Sequence, residues 1–145
     1  MNELHGLRQR ALALLTRREH SRAELVARLA SHGIREEIET VLAGLEKQGL
    51  LSDARFAEGY VRSNAARLGV TRLRQTLAAR GIAGELIETQ VAELPDEADR
   101  VRAVWTKKFG TAPADAREWA KQARFLQGRG FSAEAIHKLL KETDE

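Results

Sequence analysis

Several residue types are scarce or missing in this chain, and each absence removes a class of structure or chemistry. There is no cysteine, which excludes disulfides, thiol nucleophiles and cysteine-based zinc sites. Only 2 prolines occur, and no stretch shows the alternation of β-branched and polar residues that is typical of strands. No apolar run is long enough to cross a bilayer, and no apolar segment of a signal peptide lies near the N-terminus. We therefore expect a cytoplasmic protein with no membrane partner.

The residues that are abundant favour helices. Leucine, alanine, arginine and glutamate dominate the 145 residues, and all four have high helix propensity. Hydrophobic residues make up 43% and charged residues 31% of the chain, which is typical of a folded globular protein and not of a disordered one. The composition therefore predicts an all-α fold.

Three segments resemble one another and predict a tandem repeat. Each has a helical pattern, a glycine preceded by histidine or arginine, an apolar residue that we expect to be buried, and a second helical pattern. The glycines lie at 33, 81 and 130, so they are 48 and 49 residues apart, a period typical of helical repeat arrays. A further helical pattern precedes each copy. We predict nine helices in three three-helix repeats, at 1–51, 52–94 and 95–145, that form an elongated, curved array.

Residues 49–62, Gly-Leu-Leu-Ser-Asp-Ala-Arg-Phe-Ala-Glu-Gly-Tyr-Val-Arg, connect the first repeat to the second. Gly49 suits a helix end because glycine takes a positive φ without a Cβ penalty. Ser52 or Asp53 is predicted to cap the following helix. We expect Leu50 and Leu51 to pack into a core.

Other helix ends are predicted from residue type. Ser21 and Glu24 have the spacing of a capping box, in which the hydroxyl and the carboxylate each accept a backbone N–H. The acids at 96, 97 and 99 are favourably placed at a helix N-terminus. The remaining assignments are N-caps at Thr71 and Ser132, helix-ending glycines at Gly69 and Gly110, and Pro113 in the first turn of a helix.

No combination of side chains predicts catalysis. The four histidines, at 5, 20, 32 and 137, have no metal-ligand spacing with one another or with acids. The chain has no phosphate-binding loop, no dinucleotide-binding glycine pattern and no serine in a nucleophile-elbow context. We therefore predict a protein that is not an enzyme and has no cofactor, metal or small-molecule substrate.

Basic residues are concentrated in the second and third repeats. The net charge is only +3, but between positions 54 and 82 six arginines face one acid, Glu58. Arg72 and Arg74 fall in the first turn of a predicted helix, where the helix dipole disfavours cations, which indicates an anionic partner. Solvation of exposed helix faces is the alternative explanation of the clustering. The predicted binding strip comprises Arg55, Arg62, Arg67, Arg72, Arg74, Lys107, Lys108, Arg124 and Arg129.

This strip can meet phosphates or an acidic protein surface. No helix-turn-helix pattern with readable base contacts is present, so base-specific readout is not expected. The few aromatic residues, Phe125 among them, are expected in the core, with Tyr60 the one most exposed.

The motifs in combination resemble the bacterial RecX regulatory proteins. The resemblance rests on the junction at 49–62, on Arg-Gly-Ile at 80–82, on Lys-Lys-Phe-Gly at 107–110 and on Arg-Phe-Leu-Gln-Gly-Arg-Gly-Phe at 124–131. It extends from about residue 12 to residue 140. Two positions depart from the family pattern: Asn64 stands where arginine is usual, and Val70-Thr71 replaces a usual Gly-Pro.

The resemblance implies tandem three-helix repeats that lie in the helical groove of the RecA–DNA filament. It also implies that the protein depresses RecA strand exchange, ATP hydrolysis and co-protease activity in DNA repair, recombination and the SOS response. We expect a monomer with at most weak affinity for DNA. The alternative is a DNA-binding protein that acts by occupying single-stranded DNA, although the small number of exposed aromatic residues counts against tight single-strand binding.

Overall fold

The computed structural model describes residues 3–144, and within them the chain forms nine α-helices and no strand. The all-α prediction is therefore confirmed. The helices are α1 (Glu3–Arg17), α2 (Arg22–Leu29), α3 (Arg35–Lys47), α4 (Asp53–Asn64), α5 (Val70–Ala79), α6 (Gly84–Ala92), α7 (Glu97–Lys108), α8 (Ala116–Gly128) and α9 (Ala133–Thr143).

The helices belong to two compact units. The first unit contains the described residues up to Gly59 together with Leu77–Ile87, and the second contains Tyr60–Thr76 together with the described residues from Glu88 onward. The chain passes from one unit to the other within α4, α5 and α6. Each unit thus combines one terminal group of three helices with part of the middle group.

Leucine side chains from α1, α2 and α3 fill the core of the first unit. Leu25, Leu42 and Leu45 are completely buried there, and Leu51 joins them at 2% exposure. Leu50, in contrast, is 43% exposed, so the prediction that both leucines of the linker are buried is wrong for this one. The N–H groups of Leu50 and Leu51 both donate to the Leu45 carbonyl oxygen, at 2.9 and 3.3 Å, and this tight bend brings only Leu51 into the core.

The apolar residue after the repeated glycine is buried in two copies and exposed in one. Ile82 and Phe131 are 5% and 2% exposed, because each donates its N–H back to a carbonyl in the last turn of the preceding helix. Ile34 is 61% exposed, which corrects the prediction for the first copy. Gly33 lacks the positive φ of Gly81 and Gly130, so the chain does not fold back onto the helix there.

Several predicted helix ends are confirmed. Gly49 and Gly110 have positive φ values of 77° and 68° and lie just after α3 and α7. Ser52 Oγ accepts the N–H of Arg55 at 3.1 Å and caps α4. Ser132 Oγ caps α9 by accepting the N–H of Ala135 at 3.1 Å.

Three other end assignments are wrong. Helix α4 ends at Asn64, so Gly69 does not end it but lies directly before α5. Thr71 is the second residue of α5 and not its cap. Pro113 is buried ahead of α8, which begins at Ala116 and is capped by the Asp115 carboxylate.

The second unit has a core of aliphatic and aromatic side chains from α7, α8 and α9. Val101, Leu126 and Leu140 are completely buried in it. Trp105 is 7% exposed, and its Nε1–H donates to Oε1 of the buried Gln122 at 2.8 Å. The polar edge of the ring is therefore satisfied inside the core.

Within residues 3–144, no helix has both the length and the apolar character that a membrane crossing requires.

Candidate partner-binding surface

The nine helices of residues 3–144 form three groups of three, α1–α3, α4–α6 and α7–α9. A carboxylate at the start of the second and of the third group caps the middle helix of the group before it. In the first unit Asp53 Oδ1 accepts the N–H of Arg22, the first residue of α2, at 2.7 Å. In the second unit Glu97 Oε1 accepts the N–H of Val70, the first residue of α5, at 2.9 Å, while its Oε2 accepts the N–H of Ser132 at 3.3 Å. A negative charge is favoured at a helix N-terminus. Asp53 and Glu97, which the sequence assigned to their own helices, thus cap helices distant in sequence.

A glycine with positive φ accompanies each of these contacts. A Cβ on Gly81 would overlap the Cβ of Ala23 in α2, and a Cβ on Gly130 would overlap Arg72 in α5. In the first unit Ser21 Oγ donates to the Arg80 carbonyl oxygen at 2.7 Å. The end of one middle helix therefore lies against the start of the preceding middle helix, and this same junction, made twice, explains the glycine spacing.

Ser21 and Glu24 form the predicted capping box and extend it into an ionic cluster. Ser21 Oγ accepts the N–H of Glu24 at 3.1 Å, and Glu24 Oε1 accepts the N–H of Ser21 at 2.9 Å. Arg80 Nη1 and Arg18 Nη2 lie 3.0 and 3.4 Å from Glu24 Oε2. Burial raises the pKa of Glu24, but the Ser21 N–H and the two guanidinium groups outweigh it, so the pKa lies below its ordinary value.

Arg100 is a buried cation that the sequence interpretation missed. It is 7% exposed, its Nε donates to the Ala65 carbonyl oxygen at 3.0 Å, and its Nη2 donates to the Leu68 carbonyl oxygen. Burial lowers its pKa, against the opposing charge of Glu97. Within the described residues its Nη1 has no hydrogen-bond partner. Arg100 lies three residues after the capping carboxylate of α7, as Phe56 lies three residues after that of α4. The sequence signal for this site was therefore an arginine at a position where the preceding repeat has phenylalanine.

Among the nine cations of the predicted strip, Arg55 belongs to the first unit and the other eight to the second. Arg55 forms an ion pair with Glu19 and donates to the carbonyl oxygens of Gly49 and Leu50 at 3.1 and 3.3 Å. It therefore holds the C-terminal end of α3 to the chain that follows.

Most arginines of the strip in the second unit are engaged within the chain. Arg74 makes a bidentate ion pair with Glu88, with both N···O distances at 2.8 Å. Arg72 Nη1 donates to the Gly128 carbonyl oxygen at 3.0 Å. These partners account for cations in the first turn of α5 and weaken the inference from the helix dipole. Arg62 also interacts within the chain, and Arg67 donates to the Asn64 side chain.

Two further cations of the strip surround an aromatic ring. Lys108 Nζ and Arg129 Cζ lie 5.0 and 4.9 Å from the centroid of Phe125, and Phe109 meets the same ring edge-on with centroids 5.5 Å apart. We call these four residues the Phe125 cluster. Phe125 is half-buried and packs against the core of the second unit, which agrees with its predicted place in the core. Its position allows cation–π attraction at the surface.

Lys107 and Arg124, the chain neighbours of this cluster, are exposed and have no ion pair or hydrogen bond from their side chains within residues 3–144. Their charges are therefore available to an external anion.

Tyr60 is half-buried in α4, and its carbonyl oxygen accepts a hydrogen bond from Nδ2 of Asn64 at 2.8 Å. The part of the chain that the structure describes contains no group of three histidine or acidic side chains that could hold a metal ion.

Models of the first, second and third three-helix domains of RecX match residues 8–45, 52–89 and 96–140 of the chain. The chain belongs to the RecX family. The regulatory protein RecX of Leptothrix cholodnii is 45% identical over 141 residues, which cover 96% of this chain and 90% of that protein. The regulatory protein RecX of Ralstonia pickettii is 42% identical over 142 residues, which cover 97% of this chain and 89% of that protein.

Solved RecX structures have the same fold. The crystal structure of RecX from Lactobacillus salivarius superimposes with a TM-score of 0.81 at 22% identity and covers 98% of this chain and 97% of that one. A second crystal structure of the regulatory protein RecX gives a TM-score of 0.82 at 24% identity, covering 97% of this chain and 73% of that one. At these identities the RecX structures support the fold alone. The resemblance that the motifs indicated is confirmed, and the family is described as regulatory and not as catalytic.

Proposed function

We propose that this RecX family protein binds the RecA–DNA filament and inhibits the recombinase, ATPase and co-protease activities of RecA. The observation that carries the proposal is the 45% identity to a regulatory protein RecX along nearly the whole chain. The proposed setting is the cytoplasm, in DNA repair, recombination and the SOS response. The protein acts as a monomer, and its three-helix segments 1–51, 52–94 and 95–145 serve as successive repeats.

The proposed contact surface is centred on Lys107 and Arg124, beside the Phe125 cluster, and is not spread evenly over the predicted strip. A cation that is already paired within the chain gains less from an external carboxylate, because part of the electrostatic attraction is already satisfied. Lys107 and Arg124 are unpaired, whereas Arg55 and Arg74 have carboxylate partners. The unpaired cations therefore face acidic groups of the filament, and the paired arginines mainly support the helix junctions.

A second candidate function is the occupation of single-stranded DNA, and the exposed cations Lys107 and Arg124 favour it because they can contact a phosphate backbone. Single-strand binding proteins combine cations along the backbone with aromatic rings on which bases stack. The ring of Phe125 packs against the core of the second unit and already has Lys108 Nζ and Arg129 Cζ 5.0 and 4.9 Å from its centroid, so it is a poor platform for a base. The lack of a free ring in this cluster is why this function ranks second.

The test is a titration of RecA's single-strand-DNA-dependent ATP hydrolysis with this protein. The same concentrations are tested in parallel for binding to the DNA alone. A filament modulator inhibits well below one protein per RecA, at concentrations that leave the free DNA mostly unbound. Inhibition that begins only when the DNA is saturated supports the second function, and a complete lack of inhibition contradicts both.

A further inference from the structure

A groove lined by α1 and α2, in the first unit, concentrates positive charge that the proposed function does not use. Arg10 and Arg17 line it from α1, Arg28 from the last turn of α2, and His32 from the turn that follows. All four side chains are exposed, and no acidic residue is among those that line the groove. Within residues 3–144 the three arginines have no side-chain hydrogen bond or ion pair.

The floor of the groove is apolar. Ala13 and Leu14 lie between the two arginines on the same face of α1, since residues three, four and seven apart share one side of a helix. Leu29, 1% exposed, contributes from α2. Arg10 and Arg17 are separated by about 10 Å along the helix axis, from a rise of about 1.5 Å per residue. The groove, about 300 Å³ in volume, therefore presents separated guanidinium groups around a hydrophobic surface.

Helix dipoles explain only part of this arrangement. Arg17 and Arg28 lie in the last turns of α1 and α2, where cations are favoured. Arg10 lies two turns earlier, beyond the reach of that effect. Three like charges that line one groove repel one another, and an anionic partner would relieve the repulsion.

The lining chemistry fits a peptide better than a nucleic acid. Within residues 3–144 no phenylalanine, tyrosine or tryptophan lines the groove, so it lacks the large aromatic rings that are typical of single-strand binding sites. The accessible surface of Ala13 and Leu14 matches an apolar side chain and has no counterpart in a sugar–phosphate backbone. Guanidinium groups bind carboxylates through paired hydrogen bonds. We infer that this groove binds an acidic, leucine-containing peptide segment of a partner protein, with carboxylates at Arg10, Arg17 and Arg28.

The test measures fluorescence anisotropy of a short labelled peptide of aspartate, glutamate and leucine added to the full chain. A peptide with asparagine and glutamine in place of the acids is the matched control, and labelled oligothymidylate is the nucleic-acid control. We expect the acidic peptide to bind and the amide peptide not to bind. Equal binding of the two peptides overturns the inference, and so does oligothymidylate binding that the groove substitutions abolish.

Two variants assign the binding to the groove. The triple variant Arg10→Gln, Arg17→Gln and Arg28→Gln should weaken peptide binding about tenfold or more, the sum of three modest exposed ion pairs. The matched variant Arg117→Gln, Lys121→Gln and Lys138→Gln removes the same charge from exposed sites in the second unit and should bind as the wild type does. Equal affinity of the two variants overturns the assignment.

Substitution Ala13→Glu is an independent check at an exposed helical position that tolerates glutamate. The new carboxylate should pair with the groove arginines and repel the peptide, and circular dichroism should show unchanged helix content. Undiminished peptide binding by the folded variant contradicts the inference. Inhibition of RecA by these variants is scored separately, because the groove inference does not rest on the proposed function.

Discussion

Substitution of Gly69 by alanine should disrupt the junction in the second unit for a purely steric reason. Gly69 is buried, and its φ lies outside the positive region that glycine alone favours, so alanine can adopt its backbone conformation. An alanine Cβ would overlap the carbonyl group of Gly130 and the N of Phe131. These are backbone atoms, which cannot rotate away as a flexible side chain can.

The expected loss follows from the contacts that must separate. The Gly69 N–H donates to the Arg129 carbonyl oxygen at 2.8 Å, and the Thr71 N–H donates to the Gly130 carbonyl oxygen at 3.2 Å. Each hydrogen bond contributes a net ~1 kcal/mol, and overpacking costs ~1–3 kcal/mol. We expect the free energy of unfolding to fall by ~3–5 kcal/mol, which lowers the Tm of a chain of this length by roughly 10–15 °C.

The assay is urea unfolding followed by tryptophan fluorescence, because Trp105 and Trp119 are the only tryptophans in the chain and both belong to the second unit. Gly128→Ala is the matched control, because Gly128 also belongs to the second unit. Gly128 is the last residue of α8, and no described atom outside the local helix backbone lies within 4 Å of an added Cβ, so alanine should leave the midpoint unchanged or raise it. A Gly69→Ala midpoint equal to or above that of the wild type would refute the steric argument.

Three further predictions concern ionic groups. Glu97→Ala leaves two backbone N–H groups without their acceptor and should lower the free energy of unfolding by ~1–3 kcal/mol. The control Asp99→Ala, at the same helix start, should lower it by less than ~1 kcal/mol in the same urea titration. Equal losses in the two variants would contradict the capping role. The folded-state pKa of Glu24 is lowered, so its stabilising contribution is present above the ordinary value of 4.5 and is lost as the pH falls through the lowered one. Glu24→Gln should therefore flatten the decline of Tm with pH below about 4.5, and an unchanged slope would count against the ionic cluster. Arg74→Ala should change thermal stability by less than ~1 kcal/mol because both partners of the Arg74–Glu88 pair are about half exposed, and a loss above ~2 kcal/mol would show a larger structural role.

Features set by local sequence could be predicted. Helix content, the repeat and the ends at Gly49, Gly110 and Ser132 depend on propensity and on groups within a few residues, which the chain displays directly. The capping box at Ser21 and Glu24 is local in the same way.

Features that depend on long-range contacts could not. The sequence around Gly69 predicts a helix end, because its close approach to the Gly130 backbone depends on the tertiary structure. The position of Glu97 predicts a cap of its own helix, because the sequence does not show that Glu97 accepts the N–H of Val70. Arg100 lies in an apolar position of α7 only because the carbonyl oxygens of Ala65 and Leu68, which follow α4, meet it there. The spacing of the glycines and the change from Phe56 to Arg100 mark these sites in the sequence, but neither identifies the atoms that meet there.

The candidate site shows the same division. The clustering of basic residues was visible in the sequence. Which of them already has a partner within residues 3–144, as Arg74 does and Arg124 does not, is visible only in three dimensions. The approach of Lys108 to the ring of Phe125 was hidden for the same reason, because the two residues lie on different helices.

The most direct test of the central claim measures binding of this protein to preassembled RecA–DNA filaments at one fixed salt concentration. The variant Lys107→Glu with Arg124→Glu reverses the two unpaired cations beside the Phe125 cluster. The control Lys138→Glu with Lys141→Glu makes the same charge change on exposed positions of α9, and Lys107 and Lys141 both lie in a last helical turn. We predict that the wild type and the control bind alike and that the Lys107/Arg124 variant binds at least about tenfold more weakly. Equal binding by the two variants, or no binding by the wild type, would contradict the account.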